Sequence, residues 1–172
     1  MNHKTSRTKH YLMAMVCIFI SVAVDQWTKY LAVSHLKDQD PYIIIPDIFQ
    51  LSYLENRGAA FGLFQDQKFF FFLSAAVILG VILWFYLKVP MTKKFLPLRI
   101  CAAFIAAGAI GNLVDRIRLD YVVDFFYFEW IDFPVFNVAD IFVTVSTIIF
   151  ALLILFYYKE EDFDQILHHR NG

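Results

Sequence analysis

From Phe69 to Leu87 the chain carries no charged side chain, and Lys68 and Lys88 bracket the stretch with Trp84 and Tyr86 near its end. An α-helix needs roughly 20 apolar residues to cross the hydrocarbon of a bilayer, and aromatic and Lys anchors suit its two interfaces. The segment is expected to be a lipid-facing helix with no chemistry of its own. Composition extends that reading to the whole chain, because 59% of its 172 residues are hydrophobic and only 18% are charged. Soluble domains sit nearer about half and about a quarter.

Three more apolar stretches qualify. Lys4, Arg7 and Lys9 followed by the apolar run Tyr11 to Val24 could pass for a cleaved leader. No small-residue cleavage site follows, however, and the helical pattern continues through Asp25-Gln26-Trp27-Thr28-Lys29 to Leu36, so a retained first helix is expected. Cys17 follows Ala14-Met15-Val16, a poor match to a lipid-modified cysteine. In the third stretch Ala103, Ala107 and Gly111 lie four apart, as do Gly108 and Asn112, a spacing that lets another helix backbone approach closely. The last begins after Pro134, with Asn137, Asp140, Thr144 and Thr147 on one helical face, and a polar stripe on a membrane helix is expected to point inward.

The expectation is an all-α membrane protein: a single integral domain over residues 1–172, with spans near 11–35, 69–87, 98–114 and 137–158. Between the first two, the loop 36–67 is rich in β-formers at Tyr42 to Ile45 and Ile48 to Glu55, with Phe49, Leu51 and Tyr53 alternating, so a small hairpin or curled sheet is expected. Asn56-Arg57-Gly58 marks a turn, and Ala59 to Phe64 is apolar enough to dip into the interface. The loop 88–99 holds Lys88, Lys93, Lys94 and Arg99 with no acid beside them, and the tail from Lys159 reads as a solvated end. With four spans both termini share one side. That side carries nine Lys and Arg against six on the other, which points to termini in the cytoplasm and the polar loops outside.

Ionisable groups inside a membrane protein are costly and are functional candidates by default. Asp25 and Lys29 are four apart on the first helix, as a structural ion pair would be. The dense cluster is Gly111-Asn112-Leu113-Val114-Asp115-Arg116, Val122-Val123-Asp124-Phe125-Phe126 and Phe136-Asn137-Val138-Ala139-Asp140. Two carboxyls at a partly dry site cannot both ionise easily, so one keeps a proton while the other is charged, and the pair can activate a water and protonate a leaving amine. Asp115, Asp120, Asp124, Glu129, Asp132 and Asp140 compete for these roles. Asp140, in the first turn of the last helix and aligned with Asn137, is the strongest. Asp124 sits among apolar neighbours that would raise its pKa, whereas Asp115 precedes Arg116, whose guanidinium would favour the charged form. Spacing leaves Asp115 and Asp124 even as the partner of Asp140.

Other chemistries find less support. His3, His10, His35, His168 and His169 lie near the ends or in the first loop, and there is no His-Glu-x-x-His and no Gly-x-Ser-x-Gly, so neither a metal nor a serine nucleophile is suggested. Cys17 and Cys101 fall in apolar runs, where no disulfide is expected. No basic stripe suggests nucleic acid. The residues alone leave open an intramembrane hydrolase, a proton-coupled carrier and an assembly subunit.

Five blocks in order resemble those of the bacterial lipoprotein signal peptidases, the type II signal peptidases, which are aspartic proteases of the cytoplasmic membrane. They are Asp25-Gln26-Trp27-Thr28-Lys29, Asn56-Arg57-Gly58-Ala59-Ala60-Phe61-Gly62, Gly111-Asn112-Leu113-Val114-Asp115-Arg116, Val122-Val123-Asp124-Phe125 and Phe133-Pro134-Val135-Phe136-Asn137-Val138-Ala139-Asp140. The resemblance implies four membrane helices with a small extracytoplasmic β-cradle from the first loop, and a catalytic pair at Asp124 and Asp140. It further implies that Asn112, Asp115, Arg116 and Asn137 surround the pair, that Asn56 reaches in from the loop, and that Asp25 and Lys29 support the site. The implied substrate is a prolipoprotein already carrying diacylglycerol on its cysteine, cut just before that cysteine at the outer lipid boundary. No cofactor and no partner beyond substrate and membrane lipid are implied, and a monomer is expected.

Overall fold

The computed structural model describes residues 3–58 and 67–167; Ala59 to Phe64, the end of the second resembling block, and His168 and His169 lie outside the described residues. The elements in order are α1 (His3–Leu36), β1 (Tyr42–Ile45), β2 (Phe49–Asn56), α2 (Lys68–Lys88), α3 (Leu96–Leu119), β3 (Val122–Phe128), a short 3-10 turn (Glu129–Ile131), α4 (Val138–Leu152) running into a π-helical turn (Leu153–Tyr157), and α5 (Glu160–Leu167). Among the described residues, four helical stretches are long and apolar enough to cross a membrane: Arg7–Leu36, Phe69–Lys88, Leu96–Leu119 and Val138–Tyr157.

α3 is the central post, touching α1, α2 and α4. Its small residues make that possible. A Cβ at Gly108 would collide with the Ala139 carbonyl oxygen of α4 and come within 2.7 Å of the Val143 side chain, so two backbones meet here without intervening side chains. One turn on, a Cβ at Gly111 would lie 2.5 Å from Asp25 Oδ2, so here the Asp25 carboxyl of α1 takes the space a side chain would need. Pro97 stands in the first turn of α3, where its missing N–H is no loss, and Asp120 ends the helix in the left-handed region at φ 69°. By contrast, none of the apolar window of α2, the helix anticipated above, is fully buried within the protein.

The inward polar stripe of α4 needs correction. Its buried face is Ala139 and Ser146 with Val143 between them, set against the small residues of α3, while Asn137 is buried at the N-cap. Asp140 and Thr144 lie beside that face and border a cleft, and Thr147 is exposed. The line of contact follows the close approach at Gly108, which turns the expected stripe roughly one residue, about 100°, off the bundle axis.

The hairpin in the first loop exists, and it gains a third strand. The sheet is antiparallel in the order β1-β2-β3, with a register shift between Leu51 and Leu54. β3 comes from the segment between α3 and α4 and reads Val122-Val123-Asp124-Phe125-Phe126, β-branched and aromatic residues that favour a strand. Val123 and Phe125 pack with Leu51 and Tyr53 against Ala32 and Leu36 of α1, so the sheet is seated on the end of the first helix. A bridge between Phe126 and Phe136 ties β3 to the approach of α4.

At the opposite end of the bundle the tail folds back. Tyr158 stacks on Phe95 at 5.4 Å with planes 3° apart and donates to the Lys94 carbonyl, and Ile166 of α5 is buried with Val89 and Leu98. The loop 88–99 also acquires an acid, because Asp162 pairs with Lys94 and accepts from the Lys159 N–H. Arg99 is buried with its guanidinium on the Pro90 and Thr92 carbonyls. The solvated end expected from mixed charge is instead an amphipathic helix whose apolar side closes that end.

Candidate active site

The first turn of α4 supplies the starting point. Asn137 is the N-cap and Asp140 the third helical residue, and they form a reciprocal capping box: Asp140 N–H donates to Asn137 Oδ1, and Asn137 N–H donates to Asp140 Oδ2, both at 3.1 Å. The second oxygen of Asp140 accepts from Asn112 Nδ2 at 2.8 Å, reaching across from α3.

Asp124 faces the same place from β3. Its Oδ1 accepts from Asn137 Nδ2 at 2.6 Å and its Oδ2 from Asn56 Nδ2 at 2.8 Å. Asn56 can reach because it stands opposite Val122 in the β2–β3 ladder, and residues two apart on a strand share a face. Asp124 is 2% exposed. Burial first, then the charge of nearby Asp140, pushes its carboxyl up to about 7, against the opposing pull of its two amide donors.

Asn137, wholly buried, thus touches both acids, and its remaining Nδ2 hydrogen goes to Asn112 Oδ1 at 3.1 Å. Among the described residues neither acid enters an ion pair, and every hydrogen bond they accept is from a neutral amide. Both border a cavity of about 460 Å³ whose wall includes Asn112, Arg116, Phe133 and Thr144. Arg116 lies with its guanidinium 4.3 Å from the Phe71 ring centroid and donates to the Gly58 carbonyl at 3.3 Å.

Behind this pair lies a second one. Asp25 and Asp115 are 0% and 3% exposed, and Lys29 Nζ is 3.0 Å from an oxygen of each. Lys29 also donates to Asn112 Oδ1 at 2.9 Å, which turns the amide nitrogen of Asn112 toward Asp140. The even choice between Asp115 and Asp124 is thereby separated in space: Asp124 faces the cavity with Asp140, and Asp115 faces Lys29. Asp115 takes its cation from Lys29 and not from Arg116, because consecutive residues on a helix point about 100° apart. The remaining acids stand elsewhere: Asp120 caps α3, and Asp132 accepts from Tyr127. Among the described residues no three His, Cys, Asp or Glu side chains are grouped as a metal ion would need.

A protein-family model described as signal peptidase (SPase) II matches residues 17–156. The chain belongs to the signal peptidase II family. A lipoprotein signal peptidase of Clostridium tetani is 41% identical over 155 residues, covering 88% of this chain and 96% of the relative. One from Caldanaerobacter subterraneus subsp. tengcongensis is 44% identical over 145 residues, covering 84% and 97%. A solved bacterial membrane enzyme superposes with a TM-score of 0.74 at 29% identity, over 86% of this chain and 92% of that one. This signal peptidase II family member is therefore a multi-pass membrane protein of a peptidase family.

The nine residues that the resemblance implies for the site fall in one connected network at the sheet end of the bundle. Gln26 belongs to the same network, although the resemblance assigns it no role. Its Nε2 donates to Asp115 Oδ1 at 2.8 Å and lies 3.2 Å from both Asp25 Oδ2 and the Gly111 carbonyl. Its signal was available: an amide next to Asp25 in a membrane helix needs a partner as much as the acid does.

Proposed function

We propose that the chain is a membrane-embedded aspartic endopeptidase that removes the signal peptide from diacylglyceryl-modified prolipoproteins, cutting before the lipidated cysteine. Asp124 and Asp140 are its catalytic pair and a water is its nucleophile. The observation that carries this reading is that two carboxyls bordering one cavity accept hydrogen bonds only from neutral amides, with Asn137 bonded to both. A carboxyl paired with a cation would be held ionised, and these two are free to divide one proton between them.

Asp124, whose carboxyl is raised, holds the proton and Asp140 is the base. Asp140 takes a proton from water as its oxygen bonds to the scissile carbonyl carbon, while Asp124 delivers its proton to the carbonyl oxygen. The tetrahedral diol then collapses. Asp124 takes back a hydroxyl proton, the proton on Asp140 passes to the departing amine, the C–N bond breaks, and a carboxyl and an amine leave. Asn112 and the capping box hold Asp140 in place, and Asn56 and Asn137 hold Asp124. The excess of Lys and Arg on the side of the termini supports placing this end at the extracytoplasmic face, where a substrate's acyl chains stay in lipid while its peptide bond enters the cavity.

The test is cleavage of a purified diacylglyceryl prolipoprotein by reconstituted enzyme. Asp124→Asn and Asp140→Asn are each expected to lower kcat by about 10³-fold or more, with the protein still folded. If Asp115→Asn abolishes turnover in a folded protein and Asp124→Asn does not, Asp124 is not the partner of Asp140.

A further inference from the structure

We infer that Gln26 is a positioning residue that, together with Lys29, sets the separation of the two acids proposed to catalyse; this rests on the reading of Asp124 and Asp140 as that pair.

The inference starts from what the buried carboxylates Asp25 and Asp115 hold besides each other's cation. Asp25 Oδ1 accepts the Ala139 N–H at 2.9 Å, and Ala139 is the residue before Asp140. Asp115 Oδ2 accepts the Val123 N–H at 3.1 Å, and Val123 is the residue before Asp124. Each supporting acid therefore grips the main chain immediately upstream of one reacting acid, on α4 in one case and on β3 in the other. No strand pairing or helical hydrogen bond links those two backbone points directly. On the cavity side Asn137 and the Phe126–Phe136 bridge join the two elements; on the far side Ala139 and Val123 are linked through the supporting pair, and two side chains of α1 span it.

Lys29 bridges Asp25 and Asp115 with its charge. Gln26, one turn away on the same face, spans the same two with its amide nitrogen, 2.8 Å from Asp115 Oδ1 and with Asp25 Oδ2 and the Gly111 carbonyl of α3 sharing the other side at 3.2 Å. An ammonium is a compact charge on a flexible stem, so it neutralises without fixing direction. A planar amide has two hydrogens at a set angle, and the second bridge therefore removes a rotation that Lys29 alone would permit. With Gly111 unable to carry a Cβ beside Asp25, the bracket has no slack on the α3 side either.

The experiment uses full-length enzyme in proteoliposomes with Gln26→Met, which keeps the length and loses both donors, and Gln26→Asn, which keeps the amide on a stem too short to span both acids. Both are assayed for kcat and KM on a diacylglyceryl prolipoprotein and for inhibition by a lipopeptide with a hydroxyl-bearing carbon in place of the scissile carbonyl, a ligand that needs both acids in register. A displacement of about 1 Å between reacting groups costs about 10²-fold in rate. The expected result is a kcat loss of about 10- to 100-fold at KM within about twofold, with affinity for the hydroxyl probe falling in step with kcat. The loss should not add to that of Asp115→Asn, because the bracket is already open in that variant. An activity loss matching only the fraction unfolded, or a rise in KM at constant kcat, overturns the inference. Asp124→Asn and Asp140→Asn run alongside: if they still cleave, the proposed function fails, and if they are inactive while both Gln26 variants match the parent, the bracket alone fails.

Discussion

Two pairs of aspartates lie within one small volume of this protein and are treated in opposite ways. Asp25 and Asp115 are closed around Lys29 and locked onto backbone N–H groups. Asp124 and Asp140 receive asparagines and a backbone amide and share an open cavity. The side chain is the same four times over, and the charge of the partner decides its use. A cation makes a carboxylate a fastener, and neutral amides orient a carboxyl while leaving its proton negotiable.

Taking the cation out of the first pair should have the largest effect. Lys29→Met leaves two buried carboxylates facing each other, and breaking a buried pair in this way costs about 3–5 kcal/mol. A melt in detergent followed by tryptophan fluorescence should show the loss, and a variant as stable as the parent would erase the contrast.

The second pair is better probed by pH. Between the ordinary carboxylate value of 3.8 and about 7, folded Asp124 keeps a proton that the unfolded chain has released. Its contribution to stability therefore falls as pH rises across that window and levels off above it. Asp124→Asn should flatten this slope in melts at several pH values, and in the parent kcat/KM should decline above about pH 7 as the general acid is lost. A parent profile flat from 6 to about 8 would contradict the assignment of the proton to Asp124.

Lys94 with Asp162 calibrates the low end of the scale. Lys94 is half exposed at the far end of the bundle, and its partner caps a peripheral helix. Lys94→Ala should lower the melting temperature slightly and leave kcat and KM unchanged, which steady-state assays would check.

Much of this arrangement was legible in the sequence because lipid is an unforgiving solvent. A charged residue inside a membrane helix must have a reason, so Asp25, Lys29, Asp115 and Asp140 announced themselves by position alone. The paired strands of the first loop were visible through Phe49, Leu51 and Tyr53. β3 was not, because its only charged member, Asp124, drew attention as an acid and away from the strand pattern of Val122, Val123, Phe125 and Phe126. Nor did spacing choose between Asp115 and Asp124, since which of them faces Lys29 depends on how α1 packs against α3 at Gly111, a contact between residues far apart in the chain. The tail misled for a related reason. Mixed charge from Lys159 onward conceals Tyr158 and Ile166, which gain value only beside Phe95 and Leu98.

Asp140 is at once the proposed base and half of the box that begins α4. A helix rises about 1.5 Å per residue, so a slip of one residue along its axis would take the carboxylate out of reach of Asn112. The opening turn consequently behaves as a depth stop. Thinner or thicker lipid tugging on the far end near Tyr157 meets resistance from the very amides that aim the acid, and any yielding would register first as lost turnover.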